Sequence, residues 1–120
     1  MTLILSKNTK KSVAPTKVTF DVKAELMKHA WCPEFNRVDA EKALEGQVIY
    51  TYLIRPNLDE KGKYILSFIH KNGDFEHHTI RLLNPIYGIW RQGSPHHIGE
   101  LHKVVCDVLD CEKHERIPLF

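Results

Sequence analysis

The sequence predicts one α+β domain: a central antiparallel β-sheet flanked by two α-helices. Three observations carry that prediction. A helix with both ends marked precedes three strand-like segments, a tight hairpin signal joins two of those strands, and an amphipathic helix closes the series, an order that places a sheet between two helices. The size agrees, because 120 residues with 42% hydrophobic content suit one compact domain.

The elements follow in chain order. Residues 1–20 mix Lys, Ser, Asn, Thr and Pro without periodicity and read as a flexible basic arm, leaving 21–120 as the domain. From Phe20 to His29, the helical spacing of Val22, Leu26 and Met27 predicts a short helix that ends before Trp31 and Pro33. The next segment, Asn36 to Gly46, is helix A. Asn36 is a capping residue with Asp39 three positions on, and Gly46 suits the left-handed C-terminal position. Val48 to Arg55 is rich in β-branched and aromatic residues with no polar alternation, as in a strand covered on both faces. A polar loop, Pro56 to Lys63, leads to a strand from Tyr64 to Lys71. Asn72-Gly73 reads as a two-residue hairpin turn, and Phe75 to Leu83 returns, completing a three-stranded meander. Asn84-Pro85 breaks the pattern and Tyr87 to Trp90 is a candidate short strand. Ser94-Pro95 then resembles a helix start, with Ile98, Leu101, Val105 and Val108 on one face of helix B.

Charge narrows the function classes. Lys7, Lys10, Lys11 and Lys17 lie in the first 20 residues with no acid, so 13 of the 17 basic groups remain against 15 acidic ones, about −2 for the body. A nucleic-acid binder usually carries a basic face over much of its domain, so no nucleic-acid partner is expected. Three cysteines, an odd number, fit a reducing compartment better than a disulfide framework. Leu3-Ile4-Leu5 is too short for a signal-peptide core or a membrane span. The expectation is a cytoplasmic chain with no membrane span.

Enzymatic readings find little support. His77-His78 and His96-His97 are adjacent pairs, whose rings diverge on a strand and splay on a helix, and no metalloprotease or paired-cysteine motif accompanies them. The run from Cys106 to His114 lacks a fourth zinc ligand and reads as a solvated helix end. Cys32 to Arg37 and Cys111 to Arg116 each have four intervening residues and no glycine, whereas a cysteine phosphatase needs five around a phosphate loop. No catalytic residue, metal or cofactor is expected.

Arg55 is the anomaly. A guanidinium at the end of a strand hidden on both faces must be paired, or it costs several kcal/mol. From spacing alone, an arginine that snorkels to solvent or bonds an acid such as Glu41 is the simpler account. The surrounding blocks change that ranking. Trp31, Asn36 to Leu44, Tyr52-Leu53-Ile54-Arg55, Tyr64-Ile65-Leu66-Ser67-Phe68 and Glu76 to Arg81 together resemble the SH2 domain, over about Trp31 to Val108.

The resemblance implies a non-catalytic module that docks tyrosine-phosphorylated proteins or peptides as an adaptor. Arg55 then makes the bidentate phosphate contact, Arg37 packs on the ring and phosphate, and His77 lines the pocket and helps hold Arg55. The loop from Pro56 to Lys63 corresponds to the phosphate-binding loop. It departs from the family, which usually has an acid and then Ser or Thr after the arginine where this chain has Pro56 and Asn57. Pro56 donates no N–H, and Lys61 and Lys63 are placed to restore charge. Thr79 stands where many members carry a basic residue over the ring. His78 falls at a selectivity position, and Tyr87, Ile89 and Trp90 at the secondary pocket or in ordinary core. A deep arginine selects phosphotyrosine, because a phosphoserine falls short of it. Each charge-assisted hydrogen bond is worth roughly 1.5–3 kcal/mol. The alternatives are a degenerate SH2-like scaffold, a phosphoserine or phosphothreonine binder and, further off, a metal-dependent enzyme. A monomer is expected. Since such modules occur in bacterial effectors, the cytoplasm concerned can be that of a host cell.

Overall fold

The computed structural model describes residues 21–83 and 85–120; residues 1–20, expected to form a basic arm, and Asn84 of the expected Asn84-Pro85 break lie outside them. Helix α1, Val22–Met27, is capped by Asp21, whose side chain accepts from the Ala24 amide. Helix α2, Arg37–Leu44, starts with the predicted capping box: Asn36 and Asp39 each accept the other's backbone N–H. Gly46 follows its end at φ +82°, a left-handed conformation that costs a β-carbon-free residue little.

Strands β1 (Thr51–Pro56), β2 (Lys63–Ile69) and β3 (Phe75–Leu82) form the predicted antiparallel meander. Residues 51–55 are all buried, as the unbroken apolar run requires. The strand begins later than expected, because Val48 and Ile49 lie exposed before it and Tyr50 turns the chain at φ +69°. The β2–β3 connection also differs from the two-residue turn expected of Asn72-Gly73. The Gly73 amide bonds the His70 carbonyl and only Gly73 is left-handed, at φ +92°, so the loop is a three-residue type with glycine in the bulge position.

The sheet extends beyond the meander. Strand β4, Tyr87–Arg91, joins β3, and strand β5, Ser94–Gly99, joins β4, both antiparallel. A two-residue strand β6, Ile117–Pro118, pairs in parallel with Thr51 and Tyr52 of β1. The six strands run in the order β5-β4-β3-β2-β1-β6.

Ser94-Pro95 is therefore not a helix start. Gln92 and Gly93 both have positive φ, 52° and 78°, and form the hairpin turn that pairs Arg91 with Ser94. Pro95 is tolerated because β5 is an edge strand. Helix α3 spans only Leu101–Leu109, and His96-His97 lies on β5 rather than on a helix.

Side-chain alternation divides the core in two. Tyr52, Ile54, Leu66, Phe68 and Ile80 pack against Leu101, Val104, Val105, Val108 and Leu109 of α3 on one face. Leu53 and Ile69 meet Ala40 and Leu44 of α2 on the other, a much smaller cluster. That smaller apolar layer leaves room for polar side chains between the sheet and α2.

Candidate phosphate-binding site

Strand register creates the site. Ser67 stands opposite both Leu53 and His77, so their side chains share the α2 face, and Arg55, two residues beyond Leu53, joins them. Arg55 is 7% exposed. Its Nε–H donates to Ser67 Oγ at 3.1 Å, and Nη2 reaches only 3.5 Å from His77 Nδ1. Ser67 Oγ is 2.8 Å from the same nitrogen, and His77 Nε2 is 2.7 Å from Glu41 Oε2. Arg37 Nε, 3.2 Å from that carboxylate oxygen, ends the chain at the first residue of α2.

The protons sort themselves by chemistry. Glu41 accepts only, so His77 Nε2 carries hydrogen, and a neutral ring accepts the Ser67 hydroxyl proton at Nδ1. Protonating His77 would put a second N–H on Ser67 Oγ beside that of Arg55. Burial lowers the His77 pKa in spite of the opposing hydrogen bond that His77 donates to Glu41. The hydrogen bonds from His77 and Arg37 hold Glu41 below the usual carboxylate range. Burial, then the neighbouring Arg37, lowers Arg55, which stays charged at neutral pH. No carboxylate of the described residues lies within ion-pair distance of Arg55. The expected alternative, an Arg55–Glu41 pair, is absent because Glu41 serves His77 and Arg37.

Around this centre the candidates separate. Thr79 is opposite Ile65, which is opposite Arg55, and its side chain is exposed on the same face. Asn57 opens the loop with an Asx turn: its Oδ1 accepts from the Asp59 amide at 3.0 Å, and its own amide donates to the Lys63 carbonyl. Asn57 Nδ2 is thus the donor end of that side chain. Lys63 is ion-paired with Glu60 at 2.7 Å, and Lys61 is exposed. His78 points to the opposite face, where it stacks on Phe68 with centroids 5.6 Å apart. Tyr87 and Ile89 are buried in the α3 core, although Tyr87 also lines a cleft of about 260 Å³ with Glu25, Ile86 and Leu101.

Sequence reasoning does not single out Ser67 as a site residue. Its signal is a lone serine in the otherwise apolar run from Tyr64 to Ile69. Glu41 is visible as a possible partner of Arg55 but not as the partner of His77, because that contact joins residues 36 positions apart. Among the described residues, no group of three or more His, Cys, Asp or Glu side chains is placed to hold a metal ion. No described helix is long and apolar enough to cross a membrane.

Comparison with known proteins bears on this arrangement. No curated protein matches the sequence. The SH2 domain of a CRK/CRKL homolog from Monosiga brevicollis, solved by NMR, is 25% identical over 53% of this chain and 61% of that one, with a TM-score of 0.46. The match thus spans less than two thirds of that domain. The family model described as SH2 domain matches residues 31–103, more than half of the chain, from Trp31 beside β1 to the first turn of α3. On that match, the chain belongs to the SH2 domain family.

Proposed function

We propose that the chain is a non-catalytic module that binds tyrosine-phosphorylated peptides or proteins, with the phosphate held by Arg55. The observation that carries this reading is a buried guanidinium fixed through Nε to Ser67 while no described carboxylate lies within ion-pair distance of it. A phosphate dianion supplies the missing charge and accepts the outer N–H groups in bidentate fashion. Arg37 swings from Glu41 to the ring and phosphate, and Thr79 faces the ring from β3. Asn57, Lys61 and Lys63 line the loop side, and Asn57 donates through its amide where the backbone N–H is already used. His77 acts through Ser67 and orients Arg55. His78, Tyr87 and Ile89 bear on peptide choice only through the α3 side of the sheet.

The same reading makes residues 1–20 a basic arm outside a domain of residues 21–120, and the protein a monomeric adaptor of the cytoplasm, its own or a host's. Calorimetry with matched phosphotyrosine, phosphothreonine and unphosphorylated peptides tests it. Micromolar binding to the first alone is expected; equal weak binding to all three refutes it.

A further inference from the structure

Two residues along the strands from the row that holds Arg55 and Thr79, the same sheet face carries a second row. Lys63 and Arg81 are direct partners there, with Asn57 beside Lys63. At about 3.4 Å per residue the second row lies roughly 7 Å further on. These residues, with Glu60, Thr79 and Trp90, line a cleft of about 210 Å³.

Its charges are two cations against one acid, and they are unequally committed. Lys63 is bonded to Glu60. Arg81 instead lies over the Trp90 ring, with its guanidinium carbon 4.6 Å from the ring centroid, and no described carboxylate is within ion-pair distance. That contact holds the guanidinium over the ring face, and no described side chain takes its N–H groups, which leaves them for a ligand. A stacked, unneutralised arginine over a half-buried tryptophan, with the Thr79 hydroxyl and the Asn57 amide nearby, is a binding geometry for a planar or tetrahedral anion.

We infer that Arg81, stacked on Trp90, forms a second anion subsite that takes a carboxylate or phosphate carried on the same peptide as the phosphotyrosine. This rests on the phosphotyrosine reading of Arg55. An extended peptide advances about 3.4 Å per residue, so the second anion lies within about three positions of the phosphotyrosine.

Phosphotyrosine peptides with Glu or Gln at each of the three positions on either side test the subsite. Wild type should prefer Glu over Gln at one position by about fivefold, the range of a partly exposed charge pair. Arg81→Gln should erase that preference while leaving the Gln peptide within twofold of wild type. A phosphotyrosine or phosphoserine at the favoured position should replace Glu, which separates the two sources of the anion. No preference at any position, or an equal loss for Glu and Gln peptides, overturns the subsite. So does a preference that is absent for peptides while Arg81→Gln releases the protein from phosphatidylserine/phosphatidylcholine vesicles.

A measurement that does not need the Arg55 pocket decides the same question. In Arg55→Leu, inorganic phosphate should move the Trp90 indole N–H resonance saturably, and Arg55→Leu/Arg81→Gln should abolish the shift. Absence of a saturable shift in the first variant refutes the subsite whatever Arg55 does. Peptide binding that survives Arg55→Leu, with the Trp90 shift intact, refutes the phosphotyrosine reading alone.

Discussion

The two faces of the sheet carry the same polar motif with opposite consequences. On the α2 face, Arg55 donates to Ser67, whose hydroxyl meets His77. On the α3 face, Arg116 Nη1 donates to the Tyr52 hydroxyl at 2.8 Å, and that oxygen lies 2.7 Å from His29 Nδ1. Each is an arginine, a hydroxyl and a histidine in series. The α3-face chain ends in the core: His29 is 4% exposed and Tyr52 fully buried. It fastens the segment leading into β6 to β1. The α2-face chain continues to Glu41 and Arg37 at the surface. Under the proposed function, what separates a structural tie from a binding site is thus the far end of the chain, not its chemistry.

Exchanging the arginines is the strongest test of this contrast. Arg55→Leu should reduce phosphotyrosine-peptide affinity at least about 100-fold by calorimetry, since two charge-assisted bonds are lost, with the circular dichroism spectrum unchanged. Removing a buried charge that lacks a counter-charge should not lower its melting temperature. Arg116→Leu should do the reverse, costing about 1–2 kcal/mol in denaturant unfolding with peptide affinity within twofold of wild type. Loss of peptide binding in Arg116→Leu, or its retention in Arg55→Leu, breaks the distinction.

Acid should expose the sealed chain next. Burial first, then Arg116, lowers the pKa of His29 to about 4 from 6.5. Between those values the unfolded chain binds more protons than the folded one, so stability is full above pH 6.5 and falls as pH drops toward 4. The loss approaches about 3 kcal/mol at the low end. Urea unfolding across this range should show that slope, and His29→Gln should flatten it; an unchanged slope would clear His29. Burial pushes the Tyr52 hydroxyl up to about 12, so its proton stays in place throughout.

The smallest effect sharpens the binding side. Ser67→Ala removes the hydroxyl between Arg55 and His77, and affinity should fall about tenfold, with about 1 kcal/mol of stability lost. A Ser67→Ala variant that binds as wild type would mean that Arg55 is held by the surrounding packing alone.

Much of the fold is legible in the order of the residues. The capping box of α2, the buried run of β1 and the strand segments of β2 and β3 are local patterns, and each appears close to where its residues predict. The two misread turns have a common cause. Asn72-Gly73 and Ser94-Pro95 are short signals compatible with more than one backbone, and strand pairing chose between them. At Ser94-Pro95 the choice went against helix because Gln92 and Gly93 both adopt positive φ, which dipeptide preference does not reveal for glutamine.

The site divides in the same way. Residue order by itself determined the SH2 resemblance, the anomalous charge of Arg55 on a covered strand, and Arg37 and His77 as its companions. Only the tertiary structure decided that Ser67 joins Arg55 to His77, that Glu41 serves His77 and Arg37 rather than Arg55, and that Arg81 stacks on Trp90. Those contacts cross strands or join the sheet to α2, and they depend on register. A shift of one residue in register would turn each of these strand side chains to the other face.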